Sequence, residues 1–314
     1  MSASRLLSAA LPALSLAAVL GAIFWLQPRA MSYFGLNLLL NLAVPIALAT
    51  IAQMFVLMVE DLDLSLGAYV SFAACVTATW LQASPVLGVA ALVASVGAYA
   101  ALGALVELRR LPSIVVTLGM SFVWLGLALL VLPTPGGTAP GWLRALMTWK
   151  PPGVPFAILA SASLGLAVHV GLKGSAAGAV LRGAGGNARA LERAGWSMVR
   201  VRAAAYALAG AFAALAGVAL VGLTTSADAN IALRYTLLSI AGAILGGCEF
   251  TGGRMSPIGA VVGAITLALT GSFLSFLRLS PDWQIGAQGA ILILVLALRV
   301  LVDRGRRPDA AAGA

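Results

Sequence analysis

LNLLLNLAVPIALATIAQMFVLMVEDLDLSLG, residues 36–67, places a long apolar run directly before three acidic residues, Glu60, Asp61 and Asp63. An α-helix rises 1.5 Å per residue, so about 20 apolar residues cross the roughly 30 Å hydrocarbon layer of a bilayer. The run over 36–59 reaches this length. It therefore predicts a membrane-spanning helix that ends at a polar turn.

The composition of the whole chain agrees with this prediction. Of its 314 residues, 61% are hydrophobic and 9% are charged, whereas soluble domains average about 45–50% and about 25%. So few polar side chains cannot cover a water-soluble core. Soluble enzymes, disordered chains, fibrous proteins and disulfide-rich secreted modules are excluded, which leaves an all-α integral membrane protein.

Ten apolar runs predict ten transmembrane helices in a single domain over residues 1–314. Cytoplasmic loops of membrane proteins are enriched in Lys and Arg. With both termini cytoplasmic, only five of the 19 Lys and Arg fall outside, namely Arg29, Arg144, Lys150, Arg234 and Arg278. This bias explains the net charge of +9 without nucleic acid. The predicted spans are approximately 6–26, 36–59, 64–82, 85–106, 113–132, 154–172, 203–222, 236–248, 257–277 and 285–301.

The first span admits a second interpretation, a cleaved signal peptide. Its apolar run is longer than the about 7–15 residues of an ordinary signal sequence. Gln27-Pro28-Arg29, which follows the run, is a poor cleavage site because small residues are preferred there. We therefore expect a retained helix.

The chain shows no pattern typical of catalysis or of cofactor binding. It contains no GxxxxGK[ST] phosphate loop, its single histidine is His169, and its two cysteines form no CxxC pair. These absences predict no catalytic residues, no metal site and no cofactor on this chain.

Three segments carry functional information, and the first is Glu60–Gly67. A carboxylate at the bilayer centre costs about 2.5–3.5 kcal/mol. The segment is therefore either a solvated turn at the interface or the lining of a protein-walled cavity. Asp63 or Ser65 is expected to cap the helix that follows.

The second segment is the predicted cytoplasmic loop 173–202, with six basic residues and one acidic residue. Asn187 is a favourable N-cap and Gly195 a favourable C-terminal stop, which predicts a helix of about two turns between them. Ala188 and Leu191 share one face of this helix, and the charged side chains share another. Such a short helix needs a surface to dock on. An ordinary basic loop is the alternative.

The third segment, Leu245–Gly259, is rich in glycine and separates the eighth and ninth spans. It is either a cytoplasmic turn or a functional break, in which Glu249 and Arg254 compensate each other. Gly242xxxGly246 and Gly259xxxGly263 beside it have the spacing that lets helix backbones approach closely. The spacing does not identify the partner helix.

Five elements resemble, in order over residues 35–300, the permease subunit of ribose-type ABC importers, a family related to branched-chain amino acid permeases. They are Glu60–Gly67, Pro112–Gly119, Gly185–Gly195, Leu245–Gly259 and Ser280–Gln284. The chain departs from the family pattern at Glu60, Asp61, Trp196 and Met255. These departures weaken the transfer of substrate identity.

The resemblance implies a type II ABC importer permease-like bundle in a bacterial inner membrane that translocates a simple sugar. It implies three partners: a second permease chain, identical or paralogous; a subunit that binds ATP and Mg; and a periplasmic sugar-binding protein.

Three sets of functional residues follow from this assignment. Coupling to the ATPase is assigned to Asn187, Arg189, Leu191, Glu192, Arg193, Gly195 and Trp196. Gating motifs contribute Asp63, Ser65, Gly67, Gly252, Gly253 and Arg254. The substrate pathway is assigned to Asn41, Gln53, Thr117, Ser121, Gln284 and Gln288.

Besides a membrane enzyme or a structural scaffold, two other transport functions stay open at this point. One is an ABC permease for a branched-chain amino acid or another small polar solute. The other is an ion-coupled secondary transporter, which needs a titratable group at mid-membrane, such as Asp63.

Overall fold

The computed structural model describes residues 3–250, 253 and 255–277, and the single positions 283, 286, 289, 290 and 293. Four predicted site residues lie outside the described residues: Gly252, Arg254, Gln284 and Gln288. Most of the tenth predicted span, 285–301, also lies outside them.

In the described residues, the regular secondary-structure elements are all helices. A 3₁₀ turn, Pro28–Met31, precedes the second helix, and a π-helical segment, Thr77–Leu81, extends the fourth. Each of the first nine predicted spans contains a helix, and the second span contains two. The helices are α1 (Ala3–Leu26), α2 (Tyr33–Leu39), α3 (Ala43–Met58), α4 (Leu66–Val76), α5 (Pro85–Arg109), α6 (Ser113–Val131), α7 (Gly141–Met147), α8 (Phe156–Gly174), α9 (Ala176–Arg193), α10 (Met198–Thr224), α11 (Tyr235–Leu245) and α12 (Pro257–Phe276).

Several of these helices are suited to cross a membrane. Five are long and apolar enough, namely α5, α6, α8, α10 and α12. The count becomes six if α2 and α3, which meet at a bend of 42°, form one span. The α4 segment and α11 are shorter apolar helices. The chain is thus a multi-pass membrane protein, while the full count of ten spans and the cytoplasmic termini stay predictions.

α3 and α10 form the centre of the bundle. Along α3 every side chain except Leu48 is buried, and α10 packs against α3, α4 and α5. The buried face of α10 carries small residues, among them Ala205, Ala209 and Ala213. Small side chains let helices approach closely where lipid supplies no hydrophobic drive to association. α6, in contrast, has mostly exposed apolar side chains, as expected of a helix that faces lipid.

The two glycine pairs noted in the sequence are partners of each other. They bring α11 against α12, because Gly246 faces Gly259 and Gly242 faces Gly263. A Cβ atom on Gly259 would lie 1.9 Å from the carbonyl oxygen of Gly246, and one on Gly263 would lie 2.2 Å from that of Gly242. Only glycine fits at these contacts.

We therefore expect Gly263→Ala to destabilise the protein by about 1–3 kcal/mol, because the added methyl group forces the two backbones apart. Thermal unfolding of the purified protein in detergent measures the change. Gly119→Ala is the matched control, since a Cβ there has no neighbour within 4 Å and alanine favours a helix over glycine. Equal unfolding temperatures for the two variants would contradict the proposed contact.

Candidate functional site

A partly buried ionic network joins three parts of the bundle at the C-terminal end of α3. Arg202 of α10 lies with its Nε 2.9 Å from Oδ2 of Asp61, which follows α3. Its other nitrogens donate to the Glu107 carboxylate of α5 and, at 3.3 Å, to the carbonyl oxygen of Val59. The Tyr206 hydroxyl donates to Asp61 Oδ2 at 3.2 Å. Burial raises the pKa of the Asp61 carboxyl above its ordinary value, and the Arg202 guanidinium opposes this shift.

Asp63, two residues further, is fully buried and accepts hydrogen bonds from three groups. The Ser65 backbone N–H and hydroxyl each donate to Oδ1 at 2.7 Å, and the Tyr99 hydroxyl donates to Oδ2 at 2.7 Å. A buried carboxylate requires such donors. Ser65 occupies the N-cap position of α4, but its side chain makes no cap bond to the helix. The Asp63 carboxylate instead bonds to Ser65 itself.

The third predicted residue of this motif, Gly67, lies at a close contact between helices. A Cβ atom there would lie 2.6 Å from the carbonyl oxygens of Ala232 and Leu233. Its backbone N–H donates to the Thr236 hydroxyl at 2.9 Å. Glycine at this position therefore lets α4 pack against the start of α11.

Two predicted pathway residues hold the main chain of the same loop. The Thr117 hydroxyl accepts from the Leu64 N–H at 3.1 Å. The Gln53 amide, oriented by its hydrogen bonding, bonds the N–H and C=O of Asp63 at 3.2 Å each. Both side chains are fully buried. Within this subunit, Gln53 and Thr117 stabilise the loop between α3 and α4.

The other two described pathway candidates lie elsewhere. Ser121 donates to the Leu118 carbonyl of its own helix at 2.6 Å. Asn41 precedes α3 and lines a cavity of ≈ 190 Å³ at the end of α3 opposite to Asp61. The structure therefore does not bring the four described candidates together in one subunit.

The predicted short helix forms the second half of α9, beyond a break at Asn187. Asn187 is extended, with φ −162°, and its Oδ1 accepts from the Ala190 N–H at 3.0 Å. At the other end Gly195 has φ +84°, and the N–H groups of Gly195 and Trp196 donate to Glu192 and Leu191, each at 3.0 Å. The side-chain cap at Asn187 confirms the predicted start of the helix, and this Schellman geometry confirms its predicted end. The first half of α9, capped by Ser175, was predicted as loop.

The two faces of this short helix differ as predicted. Ala188 and Leu191 are partly buried against the core. Arg189, Glu192 and Arg193 are exposed, as is Trp196 at 48%. The helix therefore docks its apolar face on its own subunit and presents a charged face with an indole beside it.

The three informative segments meet at this end of the bundle. The Gly253 N–H lies 3.4 Å from the Met58 carbonyl oxygen at the end of α3. A Cβ atom on Gly253, which has φ +70°, would lie 3.1 Å from the Gly186 nitrogen beside the break in α9. Segments that are far apart in the sequence thus form one surface.

Sequence reasoning missed Arg202, Glu107 and Tyr206. Arg202 had been interpreted only as one of the basic charges of a cytoplasmic loop. The available signal was the presence of acidic residues, Asp61 and Glu107, at the ends of spans that the charge bias places on the same side.

The family model described as "Branched-chain amino acid transport system / permease component" matches residues 35–296. The chain belongs to this permease family. The family consists of transport permeases and not of enzymes, and the matches confirm the resemblance found in the sequence.

Three relatives indicate where this permease lies within the family. It is 26% identical over 304 residues to the ribose import permease protein RbsC of Escherichia coli (strain K12), covering 93% of this chain and 94% of that protein. It is 27% identical over 269 residues to the galactose/methyl galactoside import permease protein MglC of Haemophilus influenzae, covering 77% and 79%. It is 30% identical over 264 residues to the L-arabinose ABC transporter permease protein AraH of Azospirillum brasilense, covering 82% and 76%. No solved structure matches it significantly.

We expect Arg202→Gln to destabilise the permease, because it leaves the carboxylates of Asp61 and Glu107 without their cation. The loss should lie near the lower end of the about 3–5 kcal/mol typical of a broken buried pair, since the Arg202 side chain is 20% exposed. Unfolding in detergent measures it. The exposed Arg200→Gln is the control, and Asp61→Asn added to Arg202→Gln should recover part of the loss. If the losses in the free energy of unfolding from Arg202→Gln and Asp61→Asn simply add in the double variant, the two side chains do not stabilise each other.

The cap predicts a smaller, local effect. Asn187→Ala should cost about 0.5–2 kcal/mol because the N–H of Ala190 loses its acceptor, whereas Asn187→Asp should retain the cap. Hydrogen exchange of the amides of 188–194 measures this change. Equal protection in both variants would show that the side chain does not hold the helix start.

Proposed function

We propose that this chain is the permease subunit of an ATP-binding cassette importer for a monosaccharide or a related polyol in a bacterial inner membrane. ATP and Mg are bound and used by a separate subunit. The observation that carries the proposal is the capped helix 188–194, which presents a charged face at the same end of the bundle as the Asp61–Arg202 network. Relatives named as ribose, galactose and L-arabinose permeases support a sugar as the substrate.

In this proposal the capped helix seats in a groove of the ATPase subunit. Its ends are fixed by Asn187 and Gly195, and its apolar face rests on the core, so a push on the helix moves the adjoining bundle. Arg202 then carries the displacement into α5 and the loop before α4. Only an element with different contacts in the two states of the ATPase can shift the equilibrium between outward and inward openings.

The same proposal sets the topology and the assembly. Ten spans with both termini in the cytoplasm place α9 inside, together with the basic residues around it. Two permease chains, identical or paralogous, enclose the pathway, and a periplasmic sugar-binding protein delivers the substrate. The exposed apolar faces of α5, α6 and α8 provide surface for lipid and for the second permease chain.

The family description also names branched-chain amino acids, which makes a small amino acid the second candidate substrate. An amino acid carries both charges at neutral pH, so its site has to compensate the ammonium group as well as the carboxylate, which a carboxylate side chain does best. The cavity beside Asn41 has Lys150 in its lining and no carboxylate. This observation favours a neutral solute.

The proposal predicts that Glu192→Lys and Arg193→Glu, both on the exposed charged face, abolish coupling while the permease stays folded. ATP-driven sugar uptake into proteoliposomes with the complete importer should fall about ten-fold or more, as expected when a central contact of an interface is lost. Co-purification of the ATPase subunit measures assembly. Arg144→Glu, also exposed but on α7 at the opposite end, should leave both unchanged.

The energy source separates the proposal from an ion-coupled transporter. Uptake should stop when ATP is withheld and should persist when an uncoupler dissipates the proton gradient. The reverse pattern would reject the ABC mechanism and direct attention to Asp63.

A further inference from the structure

The cavity beside Asn41 has a lining suited to a small polar ligand. Its volume is ≈ 190 Å³, several times the about 30 Å³ of one liquid water and below the about 300–1,000 Å³ of pockets for drug-sized ligands. It lies between the start of α3, α2 and the segment that follows α7. Its lining contains two amides, three aromatic rings and one ammonium group, namely Asn37, Asn41, Phe34, Trp149, Phe156 and Lys150.

The Asn37 amide nitrogen uses one of its two N–H groups to donate to the Tyr33 carbonyl oxygen at 2.8 Å, and the other polar groups of this cavity have further hydrogen-bonding capacity. In the described part of the chain the Asn41 amide has no hydrogen-bond partner, and Lys150 has no ion pair. The Lys150 ammonium instead lies 5.8 Å from the centroid of the Phe34 ring, a cation–π distance. An amide offers two donors and an acceptor, and an ammonium group offers three donors. The cavity can therefore bind several hydroxyl groups at once.

The aromatic rings of the lining provide a surface for the apolar face of a sugar. Trp149 packs edge-on against Phe156 with ring centroids 6.0 Å apart, and its side chain is 55% exposed. The face of an aromatic ring is electron-rich, so it attracts the weakly positive C–H groups on the apolar face of a sugar ring. The Tyr33 hydroxyl donates to the Pro151 carbonyl oxygen at 2.7 Å. This bond holds the start of α2 against the segment that follows α7.

We propose that the cavity between α2, α3 and the segment after α7 is a subsite for a neutral monosaccharide at the extracytoplasmic mouth of the permease. The amides of Asn37 and Asn41 and the Lys150 ammonium bind its hydroxyl groups, and Trp149 covers its C–H face. This inference rests on the proposed function, because sugar transport and the sidedness are proposed there. The subsite adds to that function a place where the permease itself binds the sugar. It also explains why a neutral sugar would be preferred over a cationic one.

The charge of Lys150 makes the subsite selective. No carboxylate lines the cavity, so a sugar that carries an ammonium group meets an unopposed like charge. At contact distance this costs about a five-fold loss of affinity even in water. Galactose should therefore bind better than galactosamine.

The test uses the complete permease–ATPase complex in nanodiscs, without the binding protein and without ATP. Saturation-transfer NMR titrations with D-ribose, D-galactose and L-arabinose measure binding, with D-galactosamine as the cationic probe. Wild type should bind at least one neutral sugar and bind galactosamine about five-fold more weakly than galactose. Asn41→Ala should weaken neutral-sugar binding about three- to ten-fold, the worth of a lost hydrogen bond, and Trp149→Ala should also weaken it.

Matched controls separate the subsite from general damage. Trp142→Ala changes a tryptophan of α7 that is 61% exposed and lies outside the cavity lining, and Asn230→Ala changes an exposed asparagine. Both should bind sugar as wild type does. Lys150→Met should remove the difference between galactose and galactosamine, a readout that a merely structural role of Lys150 would not alter.

Two results would overturn the inference. One is the absence of saturation transfer from every sugar, as expected if the rings only hold lipid at the interface. The other is equal binding by Trp149→Ala, Asn41→Ala and their controls. Because the titration needs no ATP, it is independent of uptake. A complex that imports sugar without this binding retains the proposed function and loses the subsite, whereas a complex that binds sugar but never imports it loses the proposed function.

Discussion

The loop between α3 and α4 has to satisfy its polar groups inside a protein that offers little water, and the functional end of the bundle is arranged around this constraint. In a bilayer each unsatisfied backbone group costs several kcal/mol, so irregular backbone is tolerated only where protein surrounds it. Here side chains of four helices supply the partners: Gln53 of α3, Tyr99 of α5, Thr117 of α6 and Arg202 of α10. The loop cannot move without these helices.

This shared bonding gives the proposed coupling a physical route. The capped half of α9 rests on the core through Leu191, and α10 begins only five residues after it ends. Arg202 lies in the second turn of α10 and contacts both Asp61 and Glu107. A displacement of the short helix therefore reaches α5 and the loop within one layer of contacts. Energetic coupling requires an element of this kind, with alternative arrangements that both ends can bias.

Local features of the site could be read from the sequence with good success. The N-cap at Asn187 and the stop at Gly195 depend on hydrogen bonds within one or two turns, so their residue types predict them. Asp63 was predicted as a possible cap on the same grounds, but its carboxylate bonds to the N-cap residue Ser65 and to Tyr99 of α5. The assignments of Gln53 and Thr117 to a substrate pathway had no such local basis. A buried polar side chain in a span has several available roles, and only its neighbours distinguish a lining group from a loop anchor.

The sequence by itself determined that this is a helical membrane protein, where its long apolar helices lie, and how the short helix after Asn187 begins and ends, because apolar run length and capping chemistry act over a few residues. Tertiary structure alone decided that Arg202 pairs with Asp61, 141 positions earlier in the sequence, that the two glycine pairs meet each other, and that Asn41 lies beside Trp149 in a cavity. Such contacts depend on which helix faces which. Spacing along one helix carries no information about the helix on the other side.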